Sequence, residues 1–179
     1  ALLINAAVRD TKGKLEDRSV LRYAFKRPNL FKSNVLQGKD EGAWVWREPE
    51  GRIRAKAGGA LGLIKITMKE DDKRLADVRG ARLQDADWGY MVRAFIKRRE
   101  QGWTFTRAAD ETIGDEPCFV VVAEGKADAA GETREAFAFS RRDCTVRARR
   151  LWEGGFQVDD TIYKDVKVDG GLTDEDFRL

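Results

Sequence analysis

The chain has 179 residues, with 34 Lys and Arg, 31 Asp and Glu and no His, so its net charge is +3. At about 150 residues per domain, this length predicts a single domain over residues 1–179. Without His the chain cannot supply a Ser-His-Asp triad, a His-ligated zinc site or an imidazole pH switch, and its two Cys are too few for a structural zinc finger.

The first part of the chain carries period-two alternation of apolar residues, which is the signal of β-strands. It predicts strands over residues 2–8, 20–26, 30–36, 43–47 and 52–57, and residues 63–68 form a short apolar stretch. The glycine-rich stretch 58–62 lacks the Gly-Lys-Ser/Thr ending of a phosphate loop and is interpreted as hinge or turn glycines. The polar residues 69–85 predict a loop.

One stretch of the chain has helical spacing, in which Trp88, Met91 and Phe95 are followed by three basic residues. Asp85 or Asp87 is expected to cap the start of this helix, and Gly102 its end. Strands then resume over residues 103–112, 118–124, 134–140, 145–153 and 161–168. Their short connections predict an antiparallel meander, so the fold class is mainly β with one long helix.

The cysteines and the acidic clusters suggest no catalytic or metal site. Cys118 and Cys144 open strands that lie two positions apart, about 9.6 Å in a simple meander, whereas a disulfide needs Cα atoms within about 7 Å. We therefore expect two separate thiols. The acids at 70–72 and 159–160 lie in apparent turns and do not follow EF-hand spacing, so solvated turn residues are expected, with no metal and no cofactor.

The basic clusters at 97–99, 141–142 and 147–150 are interrupted by acids or alternate with apolar residues. This pattern favours a solvated sheet face over a nucleic-acid interface, so no nucleic-acid partner is expected. No apolar run approaches the roughly 20 residues of a membrane-spanning helix, so the protein is not expected to span a membrane.

The aromatic residues are the most informative feature of the sequence, and two interpretations stay open. They form either an ordinary core beneath the helix or the lining of a curved sheet that leaves an apolar pocket. The set comprises Trp44, Trp46, Trp88, Phe95, Trp103, Phe105, Phe119, Phe137 and Phe139.

The motifs of the chain follow a definite order. A first hairpin leads to Lys26-Arg-Pro-Asn-Leu-Phe31, a lone helix follows, and the chain closes with Leu172-Thr-Asp-Glu-Asp-Phe177. This order resembles the bacterial LolA-like group of periplasmic lipoprotein carriers and related proteins. The stretches 58–63, 79–89 and 163–177 are similar to an uncharacterised family of exported bacterial proteins with the same presumed fold.

The resemblance implies an open, half-closed antiparallel β-barrel of about ten strands with the helix packed in or over its concave face. It also implies a periplasmic or exported protein, whose signal peptide is absent from this chain, and a hydrophobic ligand. In the carriers the Arg of the motif holds a lid and the final aromatic lies at the cavity mouth. The matching positions here are Arg27 and Phe31.

The leading hypothesis is a non-enzymatic periplasmic protein that binds a lipid or the acyl chain of a lipoprotein. The alternatives are an envelope protein-interaction or sensor module whose core is filled by its own helix, and a hydrolase that uses paired carboxylates. The candidate ligand-binding residues are Arg27, Phe31, Trp44, Trp46, Ile64, Ile66, Trp88, Met91, Phe95, Phe119, Val121, Phe137 and Phe139.

Overall fold

A computed structural model describes residues 2–59, 62, 64–76, 79–80, 82–127 and 131–179. Parts of the predicted hinge or turn at 58–62, the first residue of the short apolar stretch 63–68, and parts of the segments at 69–85 and 79–89 lie outside these described residues.

The described residues form eleven strands, one α-helix and three short 3-10 turns. The turns are Lys73–Leu75, Leu83–Asp85 and Glu175–Phe177, and the helix is α1 (Trp88–Glu100). The strands are β1 (Leu2–Arg9), β2 (Leu15–Lys26), β3 (Leu30–Gln37), β4 (Trp44–Arg47), β5 (Ile53–Lys56), β6 (Lys65–Met68), β7 (Thr104–Ile113), β8 (Glu116–Glu124), β9 (Glu132–Ser140), β10 (Val146–Glu153) and β11 (Phe156–Lys164).

All eleven strands belong to one antiparallel sheet in the order β6-β5-β4-β3-β2-β1-β11-β10-β9-β8-β7. Strands β6 and β7 are the two edges, so within the described part of the chain the sheet does not close. The predicted fold class, mainly β with one helix and an open antiparallel sheet, is confirmed.

Two strands begin earlier than predicted, because their first residues include charged side chains that interrupt the apolar alternation of the sequence. Strand β2 begins at Leu15, although residues 15–19 are mostly charged or polar. Strand β11 begins at Phe156 and contains the acidic pair that the sequence places in a turn. Asp159 accepts a hydrogen bond from the Thr161 hydroxyl at 2.9 Å, and Asp160 accepts one from Arg150 at 3.3 Å. These partners satisfy both carboxylates inside the sheet.

The chain divides into two compact units, neither of which is continuous in sequence. The first comprises the start of the chain to Asn5, Arg18–Asp85 and Lys164–Leu179, and the second comprises Ala6–Asp17 and Ala86–Tyr163. The prediction of a single domain over residues 1–179 stays a prediction.

In the first unit, one face of β3–β5 carries the tryptophans and is covered by the end of the chain. Trp46 pairs with Lys32, and both Trp46 and Phe177 are fully buried. The Lys32 ammonium donates to the main-chain oxygens of Asp176, at 2.8 Å, and Arg178, at 3.3 Å. The 3-10 turn at Glu175–Phe177 therefore anchors the end of the chain on this face, which we call the tryptophan face.

The opposite face of the sheet, on β2, β3 and β4, is covered by the segment after β6. Tyr23 is buried and donates its hydroxyl to the main-chain oxygen of Leu83 at 3.4 Å. Arg47 pairs with Glu70 at 2.6 Å and lies over the Phe31 ring, 5.9 Å from its centroid. The predicted loop at 69–85 is thus held by side chains of the sheet and contains two of the 3-10 turns.

We expect Phe177→Ala to lower the free energy of unfolding by about 3 kcal/mol, because it removes a fully buried ring and leaves a cavity. Urea unfolding measures the change. Phe156→Ala is the matched control, since Phe156 is 50% exposed and its loss should cost less than about 1 kcal/mol. Equal effects of the two substitutions would contradict the anchoring role of Phe177.

The two cysteines are both free, as predicted, with Cys118 buried and Cys144 exposed. Burial raises the pKa of the Cys118 thiol, so less of it is thiolate, the nucleophilic form. We therefore expect a thiol reagent to label Cys144 rapidly in the folded protein and Cys118 only after unfolding. Mass spectrometry of the labelled peptides checks this, and rapid labelling of Cys118 in folded protein would contradict it.

Candidate functional site

Helix α1 starts and ends where its capping residues predict. The Asp87 carboxylate accepts a hydrogen bond from the Tyr90 main-chain N–H at 2.9 Å and so caps the first turn. Gly102 follows the C-cap residue and adopts a φ of 84°, a conformation that glycine takes without steric cost. These caps fix which helical positions can face the sheet.

Three residues of α1 are buried, namely Met91, Phe95 and Arg98, at positions i, i+4 and i+7. This spacing places them on one side of the helix. The Phe95 ring lies 4.7 Å from the ring of Phe105 on β7 and 4.7 Å from the ring of Phe137 on β9, in edge-to-face geometry. We call the side of the sheet that they contact the helix face.

Five phenylalanines form a continuous row along the helix face, which we call the aromatic ladder. It runs from Phe105 through Phe95 and Phe137 to Phe139, whose ring is 5.8 Å from that of Phe137, and ends at Phe119, 5.3 Å from Phe139. Cross-strand pairing aligns Phe119 with Phe139 and Val121 with Phe137 on β8 and β9. Aromatic pairs of this kind contribute about 0.5–1.5 kcal/mol each beyond the area they bury.

Burial is greatest in the middle of the aromatic ladder, beneath the helix. Phe137 is 1% exposed and Phe95 is 9% exposed, whereas Phe105 at one end and Phe139 and Phe119 at the other are half-buried. Val121, beside Phe119 on β8, is half-buried as well. The helix thus covers the middle of the row and leaves the end at Phe139 and Phe119, which we call the open end, partly accessible.

A buried ionic cluster attaches the last turn of α1 to the sheet. The Glu135 carboxylate accepts hydrogen bonds from Arg98 of the helix at 2.5 Å and from Arg149 of β10 at 2.7 Å. Arg98 also pairs with Glu132. Burial lowers the pKa of each guanidinium, but the surrounding acidic groups together outweigh it, with the Glu135 charge the largest of their contributions, so the pKa of Arg98 and of Arg149 is raised. Both arginines therefore stay charged and hold the helix over Phe137.

Two further contacts complete this attachment. The Tyr163 hydroxyl donates to the Met91 sulfur at 3.3 Å, and burial raises the pKa of Tyr163, so the phenol stays neutral. The Arg98 guanidinium lies over the Trp103 ring, 4.3 Å from its centroid. Gly125 lies directly against the same ring, where a Cβ atom would be 2.5 Å from the ring carbons. No larger residue fits at position 125 without moving Trp103.

The structure brings together the predicted site residues of the second unit. All of them lie either on α1 or on the helix face of the strands. They are Met91, Phe95, Phe119, Val121, Phe137 and Phe139. Trp88 is the first residue of α1 and is half-buried. The row also includes Phe105, which the predicted site omits.

The predicted site residues of the first unit do not form one lining. Side chains alternate between the two faces of a strand. Phe31 and Arg47 therefore lie on one face of β3 and β4, and Trp44 and the buried Trp46 lie on the other, the tryptophan face. Ile66 and its neighbour Ile64, at the start of edge strand β6, are exposed. Trp44 and Trp46 are therefore left out of the proposed site.

Arg27, the predicted lid-holding residue, is exposed and lies in the turn between β2 and β3, next to Pro28, and its expected role stays a prediction. Within the second unit, Arg98 attaches the helix to the sheet. In the sequence Arg98 stands out only as one of the three basic residues of the last helical turn. Arg98 follows Met91 by seven residues, and this helical spacing predicts that both lie on the same, buried side of the helix.

Among the described residues, no group of three or more Cys, Asp and Glu side chains is arranged to hold a metal ion. No helix in the described part of the chain has the length and apolarity that crossing a membrane requires. The buried Glu135 carboxylate is held between the guanidiniums of Arg98 and Arg149.

We expect Arg98→Met to lower the free energy of unfolding by about 3–5 kcal/mol, because it leaves the buried Glu135 carboxylate with one partner fewer. Urea unfolding measures the loss. The neighbouring exposed residue supplies the control, since Arg99→Met should change the same quantity by less than about 0.5 kcal/mol. A similar small effect at both positions would show that the cluster does not hold the helix.

The sequence matches no family model, and no curated protein matches it. Solved structures do match its fold. An uncharacterised conserved protein from Thermus thermophilus is similar over 98% of this chain and 82% of its own, with a TM-score of 0.52 and 11% identity. MucB is similar over 99% of this chain, with a TM-score of 0.54 and 9% identity, and this chain spans 57% of the MucB chain.

A LolA superfamily protein from Nitrosomonas europaea is similar over 99% of this chain and 89% of its own, with a TM-score of 0.38 and 10% identity. Identities this low concern the fold alone. The open antiparallel sheet with one helix agrees with the fold that the LolA-like resemblance of the sequence implies, and no named family is assigned. The resemblance to an uncharacterised family of exported proteins stays a prediction.

Proposed function

We propose that this chain is a non-enzymatic protein of the bacterial envelope that binds a hydrophobic ligand, a lipid or the acyl chain of a lipoprotein, along the aromatic ladder. The observation that carries the proposal is the change in burial along that row. Phe137 is closed beneath α1, while Phe139, Phe119 and Val121 remain half-buried. An acyl chain laid along the open end would remove both its own methylenes and these rings from water.

The energetics favour a long, flexible and apolar ligand. Each methylene taken out of water contributes about 0.8 kcal/mol, so even a partly covered chain of ten carbons gains several kcal/mol. The row offers apolar side chains in a line along neighbouring strands, which fits an extended chain better than a compact molecule. The envelope location is part of the proposal and rests on the LolA-like fold, which by itself does not fix a function.

A second candidate function is an envelope protein-interaction or sensor module whose core is filled by its own helix. It is favoured by the near-complete burial of Phe95 and Phe137 beneath α1, which fills part of the helix face without any ligand. The exposed apolar residues Val92 and Ile96 on the outer side of α1 would then belong to a partner interface. Under this alternative the protein carries no lipid.

Native mass spectrometry of protein purified without detergent from a host with a cell envelope distinguishes the two candidates. A bound mass that is recovered as lipid by solvent extraction supports the proposed function. Bare protein that also fails to take up a fluorescent fatty acid overturns it, and recovery of one stoichiometric protein without lipid in a pull-down then favours the interaction module.

We expect Phe119→Asp to weaken uptake of a fluorescent fatty acid at least about tenfold, because a carboxylate at the open end of the ladder must be desolvated by the acyl chain. Fluorescence titration measures the dissociation constant, and the far-ultraviolet circular dichroism confirms that the variant is folded. Phe156→Asp makes the same change at an exposed ring outside the row and should leave uptake unchanged. Intact uptake by folded Phe119→Asp protein would remove Phe119 from the site.

A further inference from the structure

The open end of the aromatic ladder is bordered by an irregularity in edge strand β7. Ala108 pairs with Val120 and Glu111 pairs with Cys118, so two residues of β7, Ala109 and Asp110, lie opposite the single residue Phe119. This is the arrangement of a β-bulge, in which an extra residue redirects the side chains around it. The bulge therefore places Asp110 opposite Phe119, the last residue of the row, in the register of the two strands.

Two arginines meet at this carboxylate. Arg107 donates to one Asp110 oxygen at 2.9 Å, and Arg141 donates to the other. Arg107 pairs with Val121 across β7 and β8. The Arg141 main-chain N–H donates to the main-chain oxygen of Pro117 at 3.0 Å, which continues the hydrogen bonding between β8 and β9 past Phe139. Both arginines therefore border the half-buried end of the row. We call Arg107 and Arg141 the arginine pair, and Asp110 is the carboxylate that they share.

The charge of this group is not balanced. Two guanidiniums share one carboxylate, which leaves a formal charge of +1. Hydrogen bonds from Arg107 and Arg141 lower the pKa of Asp110, so its carboxylate is ionised at neutral pH. Each guanidinium has five N–H donors, and the side chains of Arg107 and Arg141 are 62% and 50% exposed, so most donors still face water.

We propose that the ligand of the aromatic ladder is an anionic amphiphile whose head is a carboxylate, in its simplest form a fatty acid. Its acyl chain lies along Phe119 and Phe139, and its head accepts hydrogen bonds from Arg107 and Arg141. The pair already holds the Asp110 carboxylate, which shows that it matches this head group. This inference rests on the proposed function, because it names the ligand class of the same site.

The test compares two probes with the same acyl chain and different heads, 11-(dansylamino)undecanoic acid, whose head is an anionic carboxylate, and its neutral methyl ester. Dansyl fluorescence gives the dissociation constant of each with the full chain. We expect the acid to bind about three- to fivefold more tightly than the ester, a modest factor because both arginines are solvent-exposed. In Arg107→Gln/Arg141→Gln protein the ester should bind as before and the preference for the acid should disappear.

A matched control removes two positive charges elsewhere. Arg22→Gln/Lys39→Gln changes two exposed residues of the first unit and should keep the preference for the acid, which separates a local contact from the net charge of the protein. Asp110→Asn removes the competing carboxylate, so we expect the preference for the acid to rise. A rise cannot result from misfolding, and a fall in Asp110→Asn protein would overturn the inference.

The remaining outcomes separate the two proposals. Equal binding of acid and ester by the unsubstituted chain overturns the anionic head group and leaves the hydrophobic site standing. Loss of the preference in the Arg22→Gln/Lys39→Gln control also overturns it, because the effect then comes from overall charge. If neither probe binds, the proposed function fails, and this inference fails with it.

Discussion

The buried Glu135 carboxylate, shared by a guanidinium of the helix and one of the sheet, is the constraint on which the second unit depends. A buried carboxylate is tolerated only when it is paired and hydrogen-bonded, so Arg98 and Arg149 must both reach it. Meeting that requirement fixes the position of the last turn of α1. The ring of Phe95, one turn earlier, then lies over Phe137, and this part of the aromatic row is covered.

The candidate site is therefore produced by the length of one helix and the alternation of side chains along four strands. Helix α1 has 13 residues, and the part of the row beyond its reach stays partly open. Within the row, apolar rings are concentrated at the centre of the helix face and charged groups at its border on β7 and beyond β9. An apolar interior with a charged border is the usual organisation of a site for an amphiphilic molecule.

The sequence predicts local structure well wherever one residue type decides it. The caps at Asp87 and Gly102 follow from side-chain and backbone chemistry, and the inward positions of Met91 and Phe95 follow from helical spacing. Alternation likewise puts Phe119 and Val121 on one side of β8 and Phe137 and Phe139 on one side of β9. Alternation does not predict which segment of the chain packs on each face of the sheet.

Long-range pairing accounts for what the sequence did not predict. Trp44 and Trp46 have the composition of a binding site, but their side of the sheet is taken by Phe177 from the end of the chain. The acids of β11 look like turn residues until their partners Thr161 and Arg150 are known. The β7 bulge depends on register across two strands, which composition does not encode.

The covering of the tryptophan face also constrains the order of events in biosynthesis. Lys32 and its acceptor Asp176 are separated by 144 residues, and Phe177 follows one residue later. At about 5–20 residues per second, a ribosome needs on the order of ten seconds to add that length. Throughout this interval Trp46 has no cover from its native partner, so the first unit emerges early but completes its core last. Chaperone binding during synthesis would be directed to the tryptophan face.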